Sequence, residues 1–418
     1  MQSTESELDQ APALYCISPP NESRKILPFD ILALRAQTPG CANVAHFNNA
    51  GASLPTRKVT GAVIDHLHLE SDIGGYEAAA MAADTLENVY HATAKLLNGK
   101  PSEIAFIENA TRAWDMAFYA FDWCKGDRIL TSVAEYGSNY IAYLQVAKKF
   151  GVTIDVVPND NSGALDPNAL AAMIDDNVRL ISVTHVPTNG GLVNPAAAIG
   201  RVAKAHNIPY LLDACQSVGQ MPLDVQEIGC DMLTATGRKY LRGPRGTGFL
   251  WIRDSLIETL EPPFLDVLSA KWVAEDRYEI RTDARRFENW ECHFAGKIGL
   301  GVAIDEALAL GLTPIYDRIQ FLSSSLRDKL TAIPSITVRD IGQHQCGIVT
   351  FTMENIAPDA IKAAMAADRI NVSVSRQSST YLDMTARGLD RVVRASVHYY
   401  NTEAEIDRLC NQLTDLAP

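Results

Sequence analysis

The sequence predicts an α/β fold in which a mostly parallel sheet lies between helices and a smaller α+β unit follows it. Short runs rich in Val, Ile and Leu alternate with helical patterns between about residues 85 and 255. After about residue 300 this order changes to a long helical stretch and then clustered strand patterns. With 418 residues, 47% of them apolar, the chain is long enough for one large core and one smaller core.

The elements are expected in three parts. Residues 1–45, with prolines at 12, 19, 20, 28 and 39, predict an irregular arm that packs with the small domain and holds one short helix near Asp30–Gln37. Residues 46–300 are expected to form the large domain and residues 301–418 the small C-terminal domain.

Apolar runs mark the candidate strands of both domains. In the large domain they are Ile104–Ile107, Arg128–Thr131, Val152–Val157, Leu180–Thr184, Pro209–Leu212 and Gly248–Ile252, with a helix over Ser138–Phe150. In the small domain we expect a long helical stretch to Ile333, a helix over Pro358–Ala367, and strands at Ile336–Val338, Gly347–Thr352 and Val392–Val397.

Charge and composition restrict the function classes. The net charge of −13 argues against nucleic acid or an anionic membrane surface as a partner, and favours a small metabolite. No apolar run approaches the roughly 18 residues of a membrane span, and the polar stretch Met1–Gln10 lacks the pattern of a secretion signal, so we expect a cytoplasmic protein. The eight cysteines form no CxxC pair and no zinc spacing, so no metal site is predicted.

One lysine and one aspartate carry the clearest chemical signal. Lys239 stands between Arg238 and a run of tight glycine turns up to Gly248, and an ammonium beside other cations loses its proton more easily. The neutral amine is then able to form a Schiff base with an aldehyde. Asp213 lies 26 residues earlier, at the end of an apolar run that would deliver its carboxylate to the open edge of a sheet. This pair suits pyridoxal phosphate.

Seven segments, in order along nearly the whole chain, carry a family resemblance. They are FNNAG (47–51), ENAT (108–111), EYGSN (135–139), HVPTNGG (185–191), DACQSVG (213–219), TGRK (236–239) and RASVHYYNT (394–402). On these motifs the chain resembles the class V aminotransferase family. The resemblance implies fold type I, pyridoxal 5′-phosphate as cofactor and an α-amino acid as substrate.

The resemblance also implies roles at the cofactor ring. Lys239 would hold the cofactor aldehyde and later move the proton of the substrate Cα as a general base. Asp213 would face the pyridine nitrogen and keep it protonated. Gln216 matches the residue that bonds the ring hydroxyl, and Asn189 is expected near the same oxygen. Tyr136 matches the position whose ring stacks on the cofactor, where many relatives have histidine.

The cofactor phosphate needs donors and a positive field. The step from a strand into a helix at Ala110 and Thr111 offers backbone amides at a helix N-terminus, with the Thr111 hydroxyl as a further donor. Thr236 and Arg238 match the two side chains that complete the phosphate site in the family, although histidine is more frequent where Arg238 stands. No GxGxxG motif follows a first strand, which disfavours a nicotinamide dehydrogenase.

Three residues are expected to contact the substrate. Arg394 matches the arginine that binds the α-carboxylate through a two-pronged contact. Asn49 and Arg376 are expected at the same site, and Arg376 is either a reader of a polar substrate side chain or an exposed residue. Residues 286–291 match a segment that reaches the neighbouring subunit's cofactor phosphate, so the resemblance implies a homodimer with shared active sites.

The reaction type rests on finer features. Residues 371–383 match the loop that carries the nucleophilic cysteine of the family's desulfurases, but they contain no cysteine, which disfavours persulfide chemistry. This loop, Tyr136 and residues 237–250 are most similar to the isopenicillin N epimerase-like and hercynylcysteine sulfoxide lyase-like branch. The first hypothesis is therefore a carbon–sulfur β-lyase acting on a cysteine-derived substrate.

Three alternatives remain open. The runner-up is an aminotransferase. The third is an epimerase, which would need an acid on the opposite face of the substrate, for which Tyr136 is a candidate. The alternative from another class is a cofactor-binding regulator without catalytic activity, which the joint presence of Lys239, Asp213 and Arg394 disfavours.

Overall fold

The computed structural model describes residues 29–417, so most of the predicted arm lies outside the described residues. The strands are β1 (Ala45–His46), β2 (Ile104–Ile107), β3 (Arg128–Thr131), β4 (Thr153–Val156), β5 (Val178–Thr184), β6 (Tyr210–Asp213), β7 (Met232–Thr236), β8 (Gly248–Ile252), β9 (Ala270–Ala274), β10 (Arg277–Ile280), β11 (Ile336–Val338), β12 (Ile348–Met353), β13 (Ile370–Asn371), β14 (Ser373–Arg376) and β15 (Arg391–Ser396).

The helices flank these strands. They are α1 (Ile31–Ala36), α2 (Arg57–Ile73), α3 (Gly75–Met81), α4 (Ala83–Leu97), α5 (Ala110–Phe118), α6 (Gly137–Phe150), α7 (Pro167–Ala172), α8 (Ala196–His206), α9 (Val225–Ile228), α10 (Asp254–Ile257), α11 (Phe294–Leu310), α12 (Leu312–Thr331), α13 (Pro358–Ala367), α14 (Tyr381–Ala386) and α15 (Glu403–Leu416). Short 3₁₀ helices occupy Pro39–Ala42, Pro101–Glu103, Ala284–Phe287 and Gln377–Ser379.

Seven strands form the main sheet, in the order β2-β8-β7-β6-β5-β3-β4. Strand β8 pairs antiparallel with both of its neighbours, and the remaining pairs are parallel. The carboxyl ends of six strands therefore meet at one edge, which is where open α/β sheets bind their ligands.

Consecutive residues of the main-sheet strands belong to different hydrophobic cores. Leu211 and Met232 pack in one core, while the next residues, Leu212 and Leu233, pack in the other. Successive side chains of a strand point to opposite faces, so both faces of this sheet are covered by helices. This explains why the strands appear in the sequence as continuous apolar runs.

A second, antiparallel sheet has the order β11-β12-β15-β14 and is called the C-terminal sheet below. Beside it, the short strand β1 pairs in parallel with β13. The early segment that carries β1 therefore lies against the C-terminal part of the chain. The domain boundaries near residues 45 and 300 stay a prediction.

The predicted fold class is confirmed, with a mostly parallel sheet between helices and a smaller α+β part. Strand β7 is the one strand of the main sheet that the sequence did not predict, because its threonines interrupt the apolar pattern. Thr234 is fully buried and its hydroxyl has no partner, so it acts as a β-branched packing residue. The long helical stretch before Ile333 is two helices, because Gly311 breaks it at φ 85°.

Within residues 29–417, no single helix is long and apolar enough to cross a membrane. Helices α11 and α12 taken together have the length and composition of a membrane span, but they meet at a bend of 81°.

Candidate active site

A cavity of about 220 Å³ opens at the edge where the parallel strands of the main sheet end. Strands β5, β6 and β7 each contribute their last residue to its wall. The lining residues are Asn109, Ala110, Thr111, Tyr136, Thr184, Val186, Thr188, Asp213, Cys215, Gln216, Thr236, Arg238 and Lys239. Eight of the twelve predicted site residues are therefore brought together by the fold.

Lys239 lies on a tight turn that follows β7. The turn is closed by hydrogen bonds from Gly243 N to Gly237 O at 2.8 Å and from Arg242 N to Lys239 O at 2.9 Å. Burial lowers the pKa of the Lys239 ammonium, and the nearby guanidinium groups of Arg238 and Arg394 act in the same direction. The amine is therefore easier to deprotonate than that of a solvated lysine.

A glycine in the aspartate segment allows this turn to come close. Gly219 has φ 82°, and a Cβ added there would lie 2.6 Å from the carbonyl carbon of Tyr240. No other residue fits both the backbone conformation and the space. The segment that supplies Asp213 thus packs directly against the turn that supplies Lys239.

Asp213 is the last residue of β6, and both of its carboxylate oxygens have a fixed donor. Oδ1 accepts from the backbone N–H of Cys215 at 3.0 Å, and Oδ2 accepts from Asn139 Nδ2 at 3.0 Å. Asp213 is 5% exposed, and among residues 29–417 it forms no ion pair with a lysine or arginine. The two donors thus hold the carboxylate in place at the cavity wall.

The predicted phosphate end has free donors and positive charge. Asn109 caps α5 by accepting from Arg112 N at 2.9 Å, which leaves the backbone N–H groups of Ala110 and Thr111 in the first turn. Thr236 bonds Thr247 O through its hydroxyl, at 3.3 Å. The Arg238 guanidinium bonds the carbonyl of Gly51 and also lines the cavity.

Of the three residues predicted to contact the cofactor ring beside Asp213, two line the cavity and one does not. Tyr136 lines the cavity as the residue that precedes α6. Gln216 donates to Ala50 O at 3.2 Å, while its Oε1 is buried without a partner. Asn189 does not line the cavity, because its amide nitrogen bonds the hydroxyl of Thr380 at 2.9 Å. The structure therefore brings Gln216 to the cavity and turns Asn189 towards the C-terminal part.

Arg394 lies on β15 behind Thr188, which lines the cavity. Its Nη1 donates to the hydroxyl of Thr188 and, at 3.2 Å, to the carbonyl of the same residue. Its Nε has no partner, and within the described chain Arg394 forms no ion pair although it is only 8% exposed. Burial lowers the pKa of Arg394 to about 10, so the group remains charged at neutral pH.

The other two predicted substrate contacts, Asn49 and Arg376, also lie outside the cavity lining. Asn49 is fully buried, and its amide nitrogen bonds Ser396 O at 2.7 Å while its oxygen accepts from the Tyr400 hydroxyl. The amide is thus used inside the protein. Arg376 is exposed and pairs with Asp359 at 3.6 Å, and its role in substrate binding stays a prediction.

Sequence reasoning missed several lining residues, including Thr184, Val186, Thr188 and Cys215. Thr184 is the last residue of β5, and the other three follow the end of β5 or β6 within four residues. Their position at or just after the end of a parallel strand was thus the sequence signal that could have predicted them. The side chains behind the wall, such as Asn139, gave no separate signal because their role depends on contacts between distant segments.

The segment expected to reach a neighbouring subunit has a buried part and an exposed part. Arg286 bonds Ile257 O at 2.6 Å, and Glu288 accepts from Phe106 N at 2.8 Å. Residues 289–291 are exposed. The homodimer stays a prediction.

Comparisons with known proteins agree with this geometry. A family model described as aminotransferase class-V matches residues 45–409. A probable cysteine desulfurase of Methanothermobacter thermautotrophicus is 31% identical over 82% of this chain and 86% of its own. The relatives found are thus named as desulfurases, whereas the sequence motifs had favoured an epimerase-like and lyase-like branch.

Solved structures of similar proteins share this fold. The apo structure of a cysteine desulfurase from Thermococcus onnurineus has a TM-score of 0.86 and 25% identity, and covers 92% of this chain and 98% of its own. A cystine C–S lyase, C-DES, complexed with cysteine persulfide has a TM-score of 0.82 and 25% identity over 91% of this chain and 100% of its own. A C-DES variant, at the same TM-score, carries glycine covalently linked to its PLP cofactor. The predicted fold type I is confirmed.

Proposed function

The chain belongs to the aminotransferase class-V family, and on this premise we propose that it is a carbon–sulfur β-lyase acting on a cysteine-derived amino acid. The observation that carries the proposal is a single cavity. It joins a lysine of lowered pKa to Asp213, lies beside a buried arginine without a carboxylate partner, and has no cysteine suited to take up sulfur.

The chain is a pyridoxal-phosphate-dependent enzyme, and its cavity fits that group. The Lys239 amine faces the cavity, Gln216 Oε1 is a buried acceptor without a partner, and the first turn of α5 offers backbone donors beside Arg238. Bound there, the cofactor supplies an aldehyde that links to amines and a conjugated ring that takes up electrons from the substrate Cα.

Lys239 is the base for the proton of the substrate Cα. Its lowered pKa leaves a larger neutral fraction at physiological pH than a solvated lysine would have. The turn after β7 fixes its backbone, so the amine moves only by side-chain rotation. A proton taken at this amine is then available for the leaving sulfur.

Asp213 and Arg394 hold charge at two ends of the site. Asp213 lines the cavity, and its proposed role is to stabilise a protonated ring nitrogen of the bound cofactor. Arg394 needs an anion, because Nε and the charge are both uncompensated, and the α-carboxylate of an amino acid meets that need with two parallel hydrogen bonds.

The fate of sulfur separates a β-lyase from a desulfurase. The segment Gln377–Ser379 and its neighbours contain no cysteine, and the one thiol that lines the cavity is Cys215. Burial raises the pKa of the Cys215 thiol, and the Asp213 carboxylate adds to this effect, so the thiol stays protonated and is a poor nucleophile. We infer that the sulfur fragment leaves as a free thiol.

Product analysis tests this proposal. Loss of the Cα proton with cleavage of the Cβ–S bond releases a thiol, and water converts the remainder to pyruvate and ammonia. With S-methyl-L-cysteine we expect equal amounts of methanethiol and pyruvate, and with L-cysteine we expect sulfide and pyruvate. Alanine as the main product, with one sulfur atom added to the protein, would instead establish a desulfurase.

The variant Cys215→Ala sharpens the test, and Cys346→Ala is its matched control because Cys346 is also buried but does not line the cavity. Both variants should still release pyruvate. Conversion of the cofactor to its amine form without pyruvate, reversed by adding a ketoacid, would identify an aminotransferase.

A further inference from the structure

Glu135 is a buried carboxylate that the proposed chemistry does not use. It is 3% exposed and accepts hydrogen bonds from Tyr136 N at 3.0 Å, Thr184 N at 2.9 Å and Asn139 Nδ2 at 2.9 Å. Among residues 29–417 it has no lysine or arginine within ion-pair distance. The hydroxyls of Thr184 and Thr131 also donate to it, and burial raises the pKa of the Glu135 carboxyl. A buried acid with so many donors fixes the orientation of the groups around it.

Asn139 connects Glu135 with the cavity. It lies in the first turn of α6, is 3% exposed, and its single amide nitrogen donates both to Glu135 Oε1 and to Asp213 Oδ2. An amide nitrogen has two hydrogens, so the two carboxylates use both of them. With the amide reversed, its oxygen would face two acceptors and no donor. Glu135 thus selects the orientation in which Asn139 offers a donor to Asp213.

The donor matters because it fixes Asp213. Cys215 N on one oxygen and Asn139 on the other hold the carboxylate in one orientation at the cavity wall. We propose, on the basis of the function proposed above, that Asn139 and Glu135 are positioning residues that orient Asp213 towards the cofactor ring nitrogen.

The test measures cofactor binding rather than turnover. Asn139→Leu should raise the dissociation constant of pyridoxal phosphate by roughly tenfold to a hundredfold, the range for loss of a hydrogen bond to a charged group. It should also change the visible absorption spectrum of the bound cofactor. Glu135→Gln should shift both quantities in the same direction by a smaller factor, because its amide group is able to turn Asn139 round.

A matched control lies on the same helix. Tyr143 is fully buried on α6 and donates to Ser182 Oγ at 2.8 Å, away from the cavity lining. Tyr143→Phe removes a comparable buried hydrogen bond and should leave cofactor binding and spectrum unchanged. Asn139→Asp serves if the leucine variant does not fold, and it should weaken binding further because it places a carboxylate opposite Asp213.

A double-mutant cycle with Asp213→Asn separates positioning from general destabilisation. If Asn139 acts through Asp213, Asn139→Leu should have little further effect on the dissociation constant in the Asp213→Asn background. Full additivity, or unchanged binding in both single variants, would overturn the inference. Failure of the wild-type protein to bind pyridoxal phosphate would refute the proposed function itself.

Discussion

The site is held from two sides, called here the main-sheet wall and the C-terminal wall, and each side holds its polar groups in a different way. On the main-sheet wall, Thr111, Asp213, Thr236 and Lys239 follow or end main-sheet strands, and the backbone places them. On the C-terminal wall, Arg394 on β15 lies behind Thr188, and the 3₁₀ helix Gln377–Ser379 packs against Gly137 at the start of α6; neither lines the cavity itself. The first wall depends on one sheet, and the second depends on how two sheets meet.

Backbone hydrogen bonds join the two walls. Ile341 N donates to Gly190 O, and Cys346 N donates to Gly191 O, both at 2.8 Å. These bonds fasten the segment before β12 to the loop that follows β5. Changes on the main-sheet wall should therefore affect chemistry, whereas changes on the C-terminal wall should affect substrate binding and the fit between the sheets.

The largest expected effect is on the main-sheet wall. Lys239→Ala should lower pyruvate release by a factor of about a thousand or more, because it removes the base. Borohydride should no longer attach the cofactor to the protein. Lys297→Met is the control, since burial also lowers the pKa of Lys297, which bonds the Tyr90 hydroxyl at 2.6 Å outside the cavity lining. Attachment at Lys297 rather than Lys239 would contradict the assignment.

The next effect tests the C-terminal wall. Arg394→Gln should raise KM by about tenfold to a hundredfold with a smaller change in kcat, because a charged two-pronged contact with the substrate carboxylate is lost. The KM of Arg394→Lys should lie between those of the wild type and Arg394→Gln, since an ammonium keeps the charge but lacks the planar fork of a guanidinium. Steady-state kinetics with one S-conjugate of cysteine measure this, and an unchanged KM would remove Arg394 from the substrate site.

A smaller effect is expected where the walls touch. A Cβ added at Gly137 would lie 2.3 Å from the carbonyl oxygen of Ser378. Gly137→Ala should therefore displace the 3₁₀ helix and lower kcat/KM severalfold. The control is Gly61→Ala on α2, where an added Cβ meets nothing within 4 Å, and which should keep kcat/KM and slightly raise stability. Equal kinetics for both variants would show that this contact is not needed.

The smallest effect at neutral pH concerns two histidines near the junction. His398 Nε2 donates to Tyr240 O at 3.0 Å, and His46 Nε2 donates to Ala52 O at 2.8 Å. Burial lowers the pKa of both rings, so the folded protein keeps them neutral while the unfolded chain binds protons below about pH 6.5. The free energy of unfolding should therefore fall as the pH decreases, by up to about 1.4 kcal/mol per pH unit for each ring.

Urea unfolding between pH 7 and pH 5 measures this slope. The double variant His46→Asn with His398→Asn should be less stable at pH 7 but should lose less stability on acidification. His68→Asn, at an exposed position on α2, should leave the slope unchanged. A slope in the double variant equal to that of the wild type would show that other groups cause the acid sensitivity.

Much of the main-sheet wall was predictable from sequence, because a strand buried on both faces is a continuous apolar run and its end marks the sheet edge. Asp213 follows such a run, and the structure places it at the end of β6. Strand β7 escaped because its buried threonines are not apolar residues. The structure places Asn49 and Arg376 outside the cavity lining, which the sequence did not indicate, because a motif gives the residue type but not the partners of its side chain.

The sequence by itself determined that the chain forms a mostly parallel sheet, where most of its strands lie along the chain, and that a lysine and an aspartate stand at its edge. These features follow from local periodicity and residue chemistry. The tertiary structure alone decided that Asn139 links Glu135 with Asp213, that Arg394 forms no ion pair among residues 29–417, and that Gly137 meets Ser378. These contacts join segments far apart in the chain. Their geometry depends on how helices and sheets pack, which no local pattern records.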